Sequence, residues 1–501
     1  MASLPAADHG RGPHRHMTAQ DSFWLDLDRP ENRMAITSVL WTATPIDPDR
    51  LRTVIAERLL GRYPVYSQHP VRDGMPGSAG WRTDTDFDLA RHVIVDKLPE
   101  PGTRHELQDF VAAQRSRPFD LTHPLWSAHL LQGYGEGSAL VLRSHHAMAD
   151  GIRLTQVMFS LFDLIGTETT PPKVGGAGPR RAEQVQPAAR LTAAALRAVG
   201  DLGGRLREIA RRAGPFAEAA VALPVLGASA AVAAAGALAT AVPTTPRQVT
   251  DAVSTSAMTL WNSVRSVVKL AGSPAVAGMW IAEPGIEKTA VWGDAIPLEV
   301  VKRISAETGT TVNDVCVTLV TGAVGRYLAE RGAELPDLAW MIPVSLEAFD
   351  AELPTTLGNH FSLVLAQLPS YGRGFRERLA KTHRRIARIR DSYEPILTHG
   401  IQQALSQSPA PLAAGVSRYF ADKAIGVLTN VPGPPVPMEI AGARVVGVVG
   451  WAPCSGSQAI TVCVFSYAGD VFFGFGTDRR SIPDPERLIS ALDAEIQSAR
   501  S

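Results

Sequence analysis

Two adjacent histidines, His145 and His146, are followed after three small or apolar residues by Asp150 and Gly151. Histidine is the side chain whose ordinary pKa lies nearest neutrality, so an imidazole held in place suits general-base chemistry. Ahead of the pair, Ala139-Leu140-Val141-Leu142 reads as a buried strand. Behind it, Leu154, Val157, Met158, Leu161, Phe162 and Ile165 fall on one face of an amphipathic helix. Asp150 is suited to cap that helix, because its carboxylate can accept the first unpaired backbone N–H groups. Gly151 offers the turn conformational freedom. A strand–turn–helix of this kind raises an imidazole on a rigid support, which favours a base over a pair of satisfied structural histidines. The residues alone do not separate the two rings.

The elements that must position this pair can be read in order. A first strand runs Met34 to Trp41, and Asp47-Pro48 opens a helix that buries Leu51, Val54, Ile55 and Leu59. Tyr63-Pro64-Val65-Tyr66 reads as extended chain. Thr103 and Glu106 form a capping-box pattern before a helix with Leu107, Phe110 and Val111 inward. Arg117-Pro118-Phe119-Asp120 and Pro124-Leu125-Trp126 then read as a packed loop with a core tryptophan. The second half opens near Val291-Trp292. A long helix follows Thr310-Thr311, with Asn313 and Asp314 in its first turn, where an acid is favoured by the helix dipole. Ala339 to Ser345 is a strand, and Leu357-Gly358-Asn359-His360 leads to another. Ile460 to Tyr467 and Val471 to Phe475 flank Ala468-Gly469-Asp470, a hairpin signal. The alternation of strands and helices indicates the α/β class.

Composition narrows the function. The chain has 501 residues, 45% hydrophobic and 20% charged, with 49 basic and 49 acidic side chains. A net charge of zero argues against nucleic acid as a partner. Cys316, Cys454 and Cys463 are an odd number in apolar surroundings, as expected of free thiols in a reducing compartment, and lack zinc-site spacing. Residues 1–17 carry no apolar signal segment and read as a disordered tail. The expected division is 18–170, a linker and helical insert over 171–288, and 289–501. The insert begins with a Pro/Gly/Thr-rich stretch and continues with arginines from Arg180 to Arg212, suited to an anionic membrane surface or a solvated helix face. Ala219 to Pro246 is uncharged and long enough for a span, but one crossing would separate the two halves. A helical hairpin on the protein or dipping into the membrane face is the favoured expectation. Gly372 to Arg390 holds seven arginines and Lys381 against Glu377, suited to a phosphate-rich ligand, a membrane contact or a solvated helix face.

The H-H-x-x-x-D-G spacing resembles that of the acyltransferases built like chloramphenicol acetyltransferase, which include peptide-synthetase condensation domains. Thr311-Val312-Asn313-Asp314-Val315, Pro343-Val344-Ser345 followed by Gly358-Asn359, Asn430-Val431-Pro432-Gly433-Pro434 and Ser466-Tyr467-Ala468-Gly469 narrow the likeness. Together they resemble the bacterial wax ester synthase/acyl-CoA:diacylglycerol acyltransferase family, from about Asp21 to the end. Glu347 stands where that family usually has Arg. The resemblance implies two such domains, mixed sheets with helices, meeting at a tunnel, with the Ala/Arg-rich insert between them. It implies O-acyl transfer from a long-chain acyl-CoA to diacylglycerol or a long-chain alcohol, with acyl-CoA as substrate and no cofactor. His146 would be the base, His145 would orient the loop or bind, and Asp150 would be structural. Gly151, Asn313, Asp314 and Asn359 are substrate-binding or oxyanion candidates. A peripheral place on the cytoplasmic side of the membrane and on lipid inclusions would follow, and a homodimer is compatible with it. A carrier-dependent condensation enzyme, or a non-catalytic lipid-binding protein that kept the fold, are the alternatives; Glu347 most favours the last.

Overall fold

The computed structural model describes residues 15–72, 79–165, 283–345, 353–391, 394–406 and 410–500. The basic stretch from Arg180, the uncharged run Ala219 to Pro246 and Glu347 lie outside them.

Two seven-stranded sheets carry the architecture. In the first, β2 (Ala35–Thr42), β5 (Val93–Lys97), β6 (Trp126–Tyr134), β7 (Gly137–His145) and β8 (Asp163–Leu164) come from the first half of the chain. They are joined by β14 (Met438–Ile440) and β15 (Ala443–Trp451), in the order β5-β6-β7-β2-β15-β14-β8. This sheet crosses the expected division at 289. Two strands of the second half lie in the first sheet, and β15 pairs antiparallel with β2 from Val445 opposite Thr42 to Trp451 opposite Thr37. The reason is burial: Val445, Val448, Val449 and Trp451 are enclosed in the same apolar core as Val39 and Leu40.

The second sheet holds β9 (Lys288–Trp292), β10 (Ile296–Pro297), β11 (Asp337–Ser345), β12 (Phe361–Pro369), β13 (Gly426–Pro432), β16 (Ile460–Tyr467) and β17 (Asp470–Asp478). The β16–β17 hairpin forms as expected, because Ala468 and Gly469 both take the left-handed backbone that a two-residue hairpin loop requires. A small third sheet contains β1 (Arg15–His16), β4 (Ala79–Thr83) and β3 (Gln68–Arg72). Arg15 and His16 pair with Trp81 and Gly80, so ordered chain starts ahead of the expected end of the tail at 17.

Local expectations hold where side chains decide them. Helix α1 (Ala19–Leu27) is capped by Thr18, and α2 (Pro48–Ile55) by Asp47. The chain then widens into a π-helical turn, Ala56–Leu60. Pro64–Ser67 is a 3-10 turn and not extended, and Tyr63, Val65 and Tyr66 are buried by it. After the four-residue α3 (Leu89–His92), α4 (Arg104–Ser116) carries the full capping box of Thr103 and Glu106. Helix α5 (Gly151–Ser160) is shorter than the apolar spacing suggests, so Ile165 lies beyond it and is exposed. In the second half, α6 (Leu298–Thr308) precedes α7 (Val312–Ala329). Helix α7 is buried on nearly every side, including Thr318, Thr321 and Gly322, and is thus a central helix with no open polar face.

The basic stretch forms α8 (Phe375–Arg390). Arg373, Arg376, Arg378, Lys381, Arg385 and Arg390 each lie beside a carboxylate of the protein. That leaves little of its charge for a phosphate ligand. Helices α9 (Glu394–Ser406), α10 (Ala410–Ala421) and α11 (Glu486–Arg500) complete the fold. Among the described residues no helix is long and apolar enough to cross a membrane.

Candidate active site

Strand β7 delivers the histidine pair at its C-terminal end, where His145 pairs with Ala35. The chain is pinned on both sides there. The His145 N–H donates to the Leu125 carbonyl at 2.9 Å, and the His146 N–H to that of Met34 at 2.7 Å. The two rings then part. His145 turns away from the cavity described below and is fully buried. Its Nδ1 accepts from the Ala147 N–H at 3.1 Å. Its Nε2 stands 3.3 Å from Asp28 Oδ2, close enough for an ion pair but outside hydrogen-bond geometry. Phe119 packs edge-on against this ring. His145 therefore secures the turn.

His146 faces the other way, into an apolar cavity of about 270 Å³. Both halves line it: Met34, Ile36, Leu154 and Met158 from the first, Met341, Phe361, Leu405 and Val427 from the second. The ring is stacked on Trp24, centroids 4.0 Å apart and planes 27° apart, with Phe361 at 5.4 Å. Burial pushes its pKa down to about 3, so the imidazole is neutral at physiological pH. Nδ1 is sealed from solvent without a hydrogen-bond partner, which leaves Nε2 as the nitrogen available to the cavity.

Asp150 does what its position promised, and more. Its Oδ1 accepts from the Ile152 and Arg153 N–H groups at 3.0 and 2.9 Å, capping α5. Its Oδ2 accepts from the His360 N–H at 2.8 Å, which ties the motif to the second half. Burial pushes this carboxyl up from the ordinary value, against the opposing pull of those N–H groups. Gly151 lines the cavity as the first residue of α5. The expected need for conformational freedom is not met: its φ is not positive, and a Cβ there would meet only Ile36 Cδ1, at 3.9 Å.

The candidates from the second half divide. Asn359 is buried at the centre, and its Nδ2 donates to the His146 carbonyl and to Asp21 Oδ1, each at 2.9 Å. Both amide hydrogens are thus used, so Asn359 holds the turn and has no donor left for an oxyanion. Asn313 stands outside the cavity wall. Its Oδ1 accepts from Asn430 Nδ2 at 2.9 Å, and Asn430 is the residue that lines the cavity. Asp314 Oδ2 accepts from the Thr311 N–H at 2.9 Å and lies 2.7 Å from His383 Nδ1, a cap and a helix–helix tie remote from the lining.

Sequence reading missed Trp24, Asp21, Asp28 and Phe361. Asp21 and Trp24 share α1, and only the fold places that helix over the histidine turn. Trp126 does line the cavity, and its Nε1 donates to the Tyr66 carbonyl at 2.8 Å.

Residues 17–316 match the model of the wax ester synthase/diacylglycerol acyltransferase catalytic domain, and residues 357–499 that of the WS/DGAT C-terminal domain. The chain belongs to the wax ester synthase/diacylglycerol acyltransferase family. Like the family it is an acyltransferase. Among its relatives is a probable diacylglycerol O-acyltransferase of Mycobacterium tuberculosis, 25% identical over 96% of this chain and 95% of that protein. A putative diacylglycerol O-acyltransferase of the same organism is 27% identical over 87% of each chain. The fold is similar to that of the wax ester synthase/diacylglycerol acyltransferase from Marinobacter aquaeolei VT8, with TM-score 0.63, 18% identity and coverage of 97% and 98% of the two chains. It is also similar to the first condensation domain of the calcium-dependent antibiotic synthetase, with TM-score 0.54, 14% identity and 98% and 97% coverage. The two-domain α/β architecture expected from the motifs is thus the one found.

Proposed function

We propose that this acyltransferase moves a long-chain acyl group from acyl-CoA to the hydroxyl of diacylglycerol or a long-chain alcohol, giving triacylglycerol or a wax ester. The observation that carries the reading is His146, neutral and desolvated in the wall of an apolar cavity that both halves of the chain enclose. Nε2 takes the proton of the acceptor hydroxyl as its oxygen attacks the thioester carbonyl carbon. The resulting oxyanion collapses, the carbon–sulfur bond breaks, and the proton passes from His146 to the departing thiolate of coenzyme A. The low pKa keeps the base unprotonated, and the charge forming on the substrate offsets that desolvation during the reaction.

The Gly151 amide is the better oxyanion donor than Asn313. It lines the cavity at the first position of a helix, where backbone N–H groups lack intrahelical acceptors. A thioester is already activated, so the two substrates suffice and no cofactor is required. Acceptors of this kind are held at membrane and lipid-inclusion surfaces, and the protein works there from the cytoplasmic side.

The test is to incubate purified protein with labelled palmitoyl-CoA and either diolein or hexadecanol. Labelled triacylglycerol or wax ester is the expected product, and its identity fixes the acceptor. Release of free fatty acid alone, or no turnover of the thioester, would overturn the reading.

A further inference from the structure

An imidazole that acts as a base has to be held in one orientation, commonly by a hydrogen bond to its second nitrogen. His146 lacks that support. Its Nδ1 has no partner in hydrogen-bond geometry. The polar groups beside it are its own backbone and the Asn359 side chain, and that amide already donates to the His146 carbonyl at 2.9 Å. What the ring does have is a broad face-to-face contact with Trp24, at 4.0 Å and 27°. Trp24 is buried, and Phe361 packs beside both rings, 6.0 Å from the indole and 5.4 Å from the imidazole. The helix that carries Trp24 is in turn tethered by the Asp21–Asn359 hydrogen bond. The indole is thus held in place, and it lies closer and more nearly parallel to the imidazole than Phe361 does.

From this geometry we infer that Trp24 is a positioning residue for the base, setting the plane of the His146 ring by stacking in place of a hydrogen bond. The same face stabilises the imidazolium that forms when the acceptor proton is taken up, because an aromatic face attracts a cation. The indole then favours the transition state over the neutral ground state, which is the condition for raising kcat. This inference rests on the reading of His146 as base.

Because Trp24 is also part of the core, truncation alone would mix packing with chemistry. The discriminating experiment places tryptophans carrying one to four ring fluorines at position 24 by site-specific incorporation. Fluorine is close in size to hydrogen but drains the π face. Stepwise fluorination is expected to lower kcat by about tenfold across the series, with KM for acyl-CoA and the melting temperature unchanged. Trp24→Phe should retain more kcat than Trp24→Leu at equal fold stability. If kcat is flat across the fluorine series in an active enzyme, this inference fails while the reading of His146 stands. If the unmodified protein transfers no acyl group, both fail together.

Discussion

The side-chain amide of Asn359 donates to the carbonyl oxygen of His146 at 2.9 Å, across 213 residues of sequence. Its other hydrogen goes to Asp21, so one residue of the second half holds both the base and the helix stacked upon it. Removing it strands a buried carboxylate and a buried carbonyl. Asn359→Ala is expected to destabilise the protein by about 2–4 kcal/mol, in urea unfolding, because hydrogen bonds to charged groups are the stronger kind. In the fraction that remains folded, kcat should drop roughly a hundredfold through misplacement of the ring, with KM little altered. An unchanged kcat would show that the clamp has no part in placing His146.

The two histidines should fail differently. His146→Ala is expected to keep its circular dichroism spectrum and lose about 10²–10⁴-fold in acyl transfer, the usual range for a missing general base. His145→Ala leaves the Ala147 N–H without its acceptor and opens the packing beside Phe119 and Asp28. Its main expected defect is a loss of about 2–4 kcal/mol of stability. The reverse pattern, an inactive but stable His145 variant beside an active His146 variant, would exchange their roles.

Acid should weaken the fold through His146. Its pKa falls from 6.5 to about 3 on folding. The unfolded chain takes up a proton below 6.5 that the folded protein refuses. The ring's contribution is therefore complete above pH 6.5 and is lost progressively as pH falls toward 3. By pH 5 the loss is about 2 kcal/mol relative to His146→Gln, measured by parallel urea titrations. Asp21 and Asp150 cannot produce this trend. Burial raises both above 3.8, so their contribution is present at low pH and is lost as pH rises. The acid limb of kcat/KM should likewise lie well below 6.5.

Gly151→Ala should fold well. With φ in the ordinary region and room for a Cβ, reduced freedom of the unfolded chain is expected to stabilise by about 0.4–1 kcal/mol. Activity should persist, because the backbone N–H is retained. A drop of several kcal/mol in thermal unfolding would show that position 151 requires glycine for the backbone after all.

The residues determined several things without the fold. The strand before His145, the cap at Asp150, the box at Thr103 and the hairpin at Ala468-Gly469 all follow from contacts within a few residues. Such contacts depend on chain geometry that a short window fixes. The motif spacing carried the family as well. Tertiary structure alone decided which imidazole faces the cavity, since both leave the strand within one turn of each other. It alone sent Asn359 to the His146 carbonyl and put β15 beside β2. It also left Asn313 outside the cavity wall and committed Arg376, Arg378 and Arg385 of α8 to acids elsewhere in the chain. These pairings join residues from 48 to more than 400 positions apart, and their selection rests on how the two sheets bury a common core, which no local pattern encodes.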